Sequence, residues 1–273
     1  MAALFLRSLC SSNVMRNLLF SCVLATLPGC ASVGVPATGQ SHLTLYDASR
    51  QRSVPVELYF PANAKRCSTA HPCATALLSP GYGLSPSDYS FIATALTRRG
   101  YSVFAIQHQL PTDPPIPIGA DLFKLRSPSW EQGAENLRFV HEKLRQTYPR
   151  FDWQHVTLVG HSNGGDIAAW LLRQPTPWVS ALVTLDNRRV PLPQDSPVRV
   201  LSIRGSDYSA DPAVLPPRNH PRGSDICIVR LDDARHNDMH DGGPAELKRE
   251  IARLIEAFSQ RGSCPSDQSR QSL

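Results

Sequence analysis

Ser162 lies in the run Gly160-His161-Ser162-Asn163-Gly164, a G-x-S-x-G pattern. A serine hydroxyl is a poor nucleophile alone. It becomes a good one when a histidine takes its proton and a carboxylate orients that histidine. Both residue types follow downstream. His236 stands in Asp232-Asp233-Ala234-Arg235-His236-Asn237, just past an apolar segment ending at Leu231. His220 sits in a Pro/Arg loop and His240 lies a turn further out, so His236 is the favoured base. Asp207 is nearest the end of the apolar segment Val198–Ile203 and is the first choice of acid; Asp211, followed by Pro212, is second, and Asp186 is third. His161 adjoins Ser162, but neighbours on a sharp turn point apart, which makes it a packing residue. The chemistry of such a set is acyl transfer: attack on a carbonyl, an acyl-enzyme, and release by water. The oxyanion would need N–H donors. Asn163 offers one at a helix start, and Tyr82, in Ser79-Pro80-Gly81-Tyr82-Gly83, offers the second.

These residues need elements to hold them. Val156–Val159 is an apolar run, β-branched at three of four positions, and predicts a buried strand. Asp166–Arg173 has Ile167, Trp170 and Leu171 at helical spacing. Strand must therefore become helix within one tight corner, which is the context a nucleophile elbow requires. Elsewhere the chain predicts a hairpin (Leu43–Tyr46, Val54–Phe60) and strands Ala74–Leu78, Ser102–Ile106, Val179–Leu185, Val198–Ile203 and Ile226–Leu231. Helices are expected at Asp88–Arg99, Trp130–Tyr148 and Glu246–Phe258. His108–Ser129 carries Pro111, Pro114, Pro115, Pro117 and Pro128 and reads as a loop bordering a site. Alternating short apolar strands and helices mean an α/β domain, a mostly parallel sheet covered on both faces, with ligands at the strands' carboxyl ends.

On the elbow, the glycine loop and His236, in that order, the chain resembles the α/β-hydrolase superfamily over about Leu43 to Phe258. There the glycine loop commonly reads His-Gly-x-Gly; here Pro80 replaces the histidine. The resemblance is nearest to compact bacterial esterases of the dienelactone-hydrolase, platelet-activating-factor-acetylhydrolase and polyester-hydrolase kind, with no large lid. It implies an Asp-Pro such as Asp211-Pro212 as a frequent triad acid. It also implies cleavage of small or lipid-like carboxylic esters without metal or organic cofactor. Two rivals use the same chain: a catalytically silent binding module, and an acyltransferase with the same triad.

The 273 residues, 41% of them hydrophobic, suit one domain with ample core. The net charge of +5 includes no long basic run and gives no case for nucleic acid. Met1–Gly29 has two arginines, no acid and an apolar run from Leu18 to Leu27, as in a signal peptide. Leu27-Pro28-Gly29-Cys30-Ala31-Ser32 resembles a bacterial lipobox, which implies lipid on Cys30, a membrane anchor, and an exported chain in the cell envelope, at the outer membrane. Residues 30–41 would then be a tether, 42–261 the hydrolase domain and 262–273 a disordered tail. The remaining cysteines, Cys67, Cys73, Cys227 and Cys264, allow three pairings; Cys67 and Cys73 bracket a short loop and suit a local bridge, with which Cys227 could staple Cys264, and their spacings match no zinc motif.

Overall fold

The computed structural model describes residues 40–194, 196–217 and 225–261. The expected signal segment, Cys30, most of the tether, His220, Cys264 and the tail lie outside the described residues. Eight strands form one sheet in the order β1-β2-β4-β3-β5-β6-β7-β8. β1 (Gln40–Asp47) and β2 (Arg52–Tyr59) are an antiparallel hairpin, and β2 also runs antiparallel to β4 (Ser102–Ile106). From β4 onward, β3 (Thr75–Ser79), β5 (Val156–His161), β6 (Val179–Leu185), β7 (Arg199–Arg204) and β8 (Ile226–Arg230) are parallel. Successive strand residues point to opposite faces. Leu158 accordingly joins one core with Trp130, Leu137 and Leu144 of α2 (Leu122–Thr147) and Ile167 of α3 (Asn163–Leu171). Val159 joins the other, with Ile92 and Leu96 of α1 (Ser90–Arg98) and Ile251 and Phe258 of α4 (Ala245–Arg261). Burial on both faces is why β5 reads as an unbroken apolar run.

Two boundaries differ from expectation. The loop expected to reach Ser129 stops at Asp121, whose side chain caps α2 by accepting the Lys124 N–H at 3.1 Å. Pro128 lies inside the helix and cannot donate to the Lys124 carbonyl. The Ser127 hydroxyl donates to that carbonyl instead, at 3.0 Å, so the proline is accommodated without an orphaned acceptor. α3 begins at Asn163, immediately after Ser162, earlier than its apolar spacing implied. The Cys67–Cys73 disulfide is present, and Cys227 in β8 is also disulfide-bonded. Among the described residues no helix is long and apolar enough to cross a membrane.

Candidate active site

The corner between β5 and α3 is tight because three backbones meet there. Ser162 adopts φ 50° and ψ −118°, a strained conformation for a residue with a Cβ. A Cβ on Gly160 would overlap the Gly164 carbonyl, and one on Gly164 would overlap the Ser79 and Pro80 carbonyls. Only glycine fits at both ends of the pentapeptide. The Ser162 N–H donates to the Leu185 carbonyl at 2.8 Å, extending the β5–β6 ladder by one residue and fixing the serine on the sheet.

Its Oγ lies 2.9 Å from His236 Nε2, and His236 Nδ1 lies 2.6 Å from Asp186 Oδ2. Asp186 directly follows β6, also at φ 50°, and its N–H donates to the Ile203 carbonyl of β7 at 2.8 Å. The side chain is fully buried. Its second oxygen accepts the Gly205 N–H at 3.1 Å and faces Arg204 Nη2, also at 3.1 Å, in an electrostatic contact rather than a directed hydrogen bond. Burial alone would raise the pKa of Asp186. The hydrogen bond from His236, the Arg204 charge and the Gly205 N–H outweigh it and hold the carboxyl below its ordinary value. An ionised Asp186 only accepts, so His236 Nδ1 carries the hydrogen and Nε2 is free to accept from Ser162.

The structure brings Asp186, rather than Asp207 or Asp211, to the His236 imidazole. Asp207, the first choice, is exposed and accepts the backbone N–H of His236 at 2.8 Å, while the imidazole is bonded to Asp186. Asp211 pairs with Arg189. β6 is the immediate neighbour of β5, with Leu185 in register with His161, so the residue after Leu185 arrives beside the serine. The segment after β7 turns away at Ser206, whose N–H bonds the Ala234 carbonyl, before Asp207 is reached.

The chain superposes on a ferulic acid esterase from Streptomyces cinnamoneus with TM-score 0.61 at 18% identity, covering 84% of this chain and 90% of that one. The chain has the α/β-hydrolase fold. Thermogutta terrifontis esterase 2, phosphonylated by cyclosarin, gives TM-score 0.58 at 14% identity over 85% of this chain and 97% of that one. Its butyrate-bound form gives 0.58 at 14% identity over 82% and 92%. No protein-family model and no curated protein matches the chain.

Within this α/β-hydrolase frame, a buried hydrogen-bond chain ties three loops together. The His236 carbonyl can only accept, so His161 Nε2 donates to it at 3.0 Å and His161 Nδ1 accepts from the Tyr89 hydroxyl at 2.6 Å. The Tyr89 oxygen in turn accepts the Gly81 N–H at 2.9 Å. Burial, then the adjacent His236, pushes the His161 pKa down to about 3, which keeps the ring neutral. His161 is thus a packing residue with two directed bonds. The sequence carries no signal for its partner Tyr89, 72 residues away. Asp166 clamps the loop after Asp186, its Oδ1 accepting the N–H groups of Arg188, Arg189 and Val190 at 3.2, 2.9 and 2.9 Å.

The two expected oxyanion donors belong to different elements, Asn163 to α3 and Tyr82 to the turn that follows β3. Asn163 is the first residue of α3, and Trp130 Nε1 holds its side chain at 3.0 Å. Residues 81–84 form a turn closed by the Leu84 N–H on the Gly81 carbonyl, with Gly83 at φ 80° as its third position requires. The Gly81 N–H is committed to the Tyr89 hydroxyl and the Leu84 N–H to the Gly81 carbonyl, and neither is free to donate elsewhere. Ser79, just before the loop, is held by His108 Nε2 at 2.9 Å. Among the described residues no group of three or more His, Cys, Asp or Glu is arranged to hold a metal.

Proposed function

We propose that this chain is a serine hydrolase that cleaves carboxylic esters, with Ser162 as nucleophile, His236 as general base and Asp186 as the acid that orients it. The observation that carries this reading is the unbroken line from Ser162 Oγ through both His236 nitrogens to Asp186 Oδ2, at 2.9 and 2.6 Å, on a strained strand-to-helix corner. His236 takes the serine proton as Oγ attacks the ester carbonyl. Asp186 fixes the tautomer and stabilises the imidazolium. The tetrahedral oxyanion is met by the N–H groups of Asn163 and Tyr82, the first at a helix N-terminus that favours negative charge. His236 then protonates the leaving alcohol, and water repeats the sequence in reverse on the acyl-enzyme.

That the solved structures sharing this fold include esterases, one of them phosphonylated by an organophosphonate, supports the same chemistry here. Incubation of the full chain with a fluorophosphonate probe tests it. Wild type labels stoichiometrically and Ser162→Ala does not; equal labelling of the two, or none of either, overturns the assignment.

A further inference from the structure

Among the described residues neither Arg188, beside Asp186, nor Arg126 stands in an ion pair with a carboxylate. Arg188, two residues after Asp186, lays its guanidinium over the Tyr208 ring, Cζ 4.3 Å from the centroid. That ring stands edge-on to the His236 imidazole at 5.9 Å. One aromatic ring therefore separates the Arg188 cation from the candidate base. Arg188 Nε is buried and has no hydrogen-bond partner.

The acids nearby are already committed. Asp211 pairs with Arg189, Asp207 holds the His236 N–H, and Asp166 Oδ1 takes the three N–H groups of residues 188–190. Among the described residues Arg126, near the start of α2, donates only to the Pro117 carbonyl, at 3.2 Å. Burial, then the nearby Arg189 and Arg188, presses its pKa downward, while Asp166 and Tyr82 act in the opposite sense. Pro117 directly follows Ile116, whose N–H the Tyr82 hydroxyl accepts, so Arg126 and Tyr82 are held to the same stretch of chain. Tyr82 completes the enclosure, its hydroxyl accepting the Ile116 N–H at 3.3 Å. Like charges gathered this way repel one another. A ligand anion would relieve that repulsion, because guanidinium forks bind carboxylates with paired, charge-assisted hydrogen bonds.

We propose that the esters this site takes are anionic ones, bearing a carboxylate a few bonds from the scissile carbonyl and held between Arg188 and Arg126. The inference rests on the hydrolase reading above.

The test compares kcat/KM of the full chain on matched pairs of esters. One pair places the charge on the acyl side, mono-4-nitrophenyl adipate against 4-nitrophenyl hexanoate. The other places it on the alcohol side, the hexanoyl ester of 4-hydroxybenzoate against that of its methyl ester. The anionic member of one pair is preferred by about tenfold or more, the scale of one charge-assisted hydrogen bond. Added salt erodes that preference. Arg188→Gln and Arg126→Gln each lower the selectivity ratio severalfold, whereas Arg98→Gln, whose side chain pairs with Glu256 on the α1–α4 face, does not. Hydrolysis of the neutral esters with no anionic preference in either pair overturns this inference and leaves the hydrolase standing. Failure to turn over any of the four overturns both.

Discussion

All four polar atoms of His236 are hydrogen bonded inside the protein: N–H to Asp207, carbonyl to His161, Nδ1 to Asp186 and Nε2 to Ser162. A short distance away, Tyr82 and Tyr208 are each nearly half exposed, and Arg188 lies over an aromatic ring with a nitrogen unpaired. The floor of the site is over-determined and the rim is not. Groups that move protons must be held within tenths of an ångström, and a buried polar network does that because each missing bond is costly. Groups that select a substrate need only present charge and surface, and their polar valence stays open for the ligand.

The contrast breaks first, if it is wrong, at the acids. Asp186→Asn keeps the size of the buried side chain but disfavours the productive tautomer, and turnover should fall by about 10⁴. Asp207→Asn retains an oxygen that can accept the His236 N–H and should cost only a few-fold, and Asp211→Asn less. All three are measured on one ester, with thermal melts as a control for folding. A larger loss in Asp207→Asn than in Asp186→Asn would move the acid from the floor to the rim.

Next in size is Tyr89→Phe. Removing one hydroxyl leaves the Gly81 N–H and His161 Nδ1 unpaired in the interior, at about 1–3 kcal/mol of stability each. Because the same hydroxyl links the Gly81 loop, the proposed source of an oxyanion donor, to the His236 loop, kcat should fall about tenfold with KM little changed, the signature of a lost transition-state interaction. Equal rises in KM at constant kcat would mean that the network serves binding alone.

The smallest effect concerns pH. His161 and His108 are held neutral, burial pushing each pKa down to about 3. The unfolded chain takes up both protons near pH 6.5 and the folded chain does not. Their contribution is full above pH 6.5 and is lost as pH falls from 6.5 towards 3. Asp166 acts in the opposite sense between about pH 6 and 4, because burial raises its carboxyl to about 6. The balance is a loss of roughly 2–3 kcal/mol on going from about pH 7.5 to about pH 5. Urea midpoints at the two values measure it, and an unchanged midpoint would show that a buried ring is charged in the folded state.

What was legible in the sequence follows the range of the physics. The elbow is a local problem, strand, glycine, serine, glycine, helix, and its spacing carries the geometry. Alternating apolar runs likewise carry the sheet, because strands buried on both faces leave no other pattern. Spacing along the chain places Asp186 behind Asp207 and Asp211, because what brings it to His236 is lateral: β6 lies next to β5, which no single run of residues states. One clue stood in the chain, Arg204 at the end of a strand otherwise buried, a cation that needs an anion beside it. The bonds joining Gly81, Tyr89, His161 and His236 span 8, 72 and 75 residues, and no periodicity encodes them. The early start of α2 was hidden by Pro128, whose rescue by Ser127 is a side-chain detail.

Ser162 and Asp186 hang on neighbouring interior strands, their N–H groups bonded into the ladder itself, whereas His236 follows β8 at the margin of the sheet. An outer strand has hydrogen-bonded neighbours on one side only, and margins open before centres do. The proposed nucleophile and its acid are therefore part of the sheet's interior frame, and the histidine, held by side-chain and loop hydrogen bonds instead, is the first of the three that unfolding from the margin would release. Gentle denaturation would then silence the chain by detaching its proton carrier, with most of the secondary structure still in place, and recovery on dilution would need only the last strand to dock again.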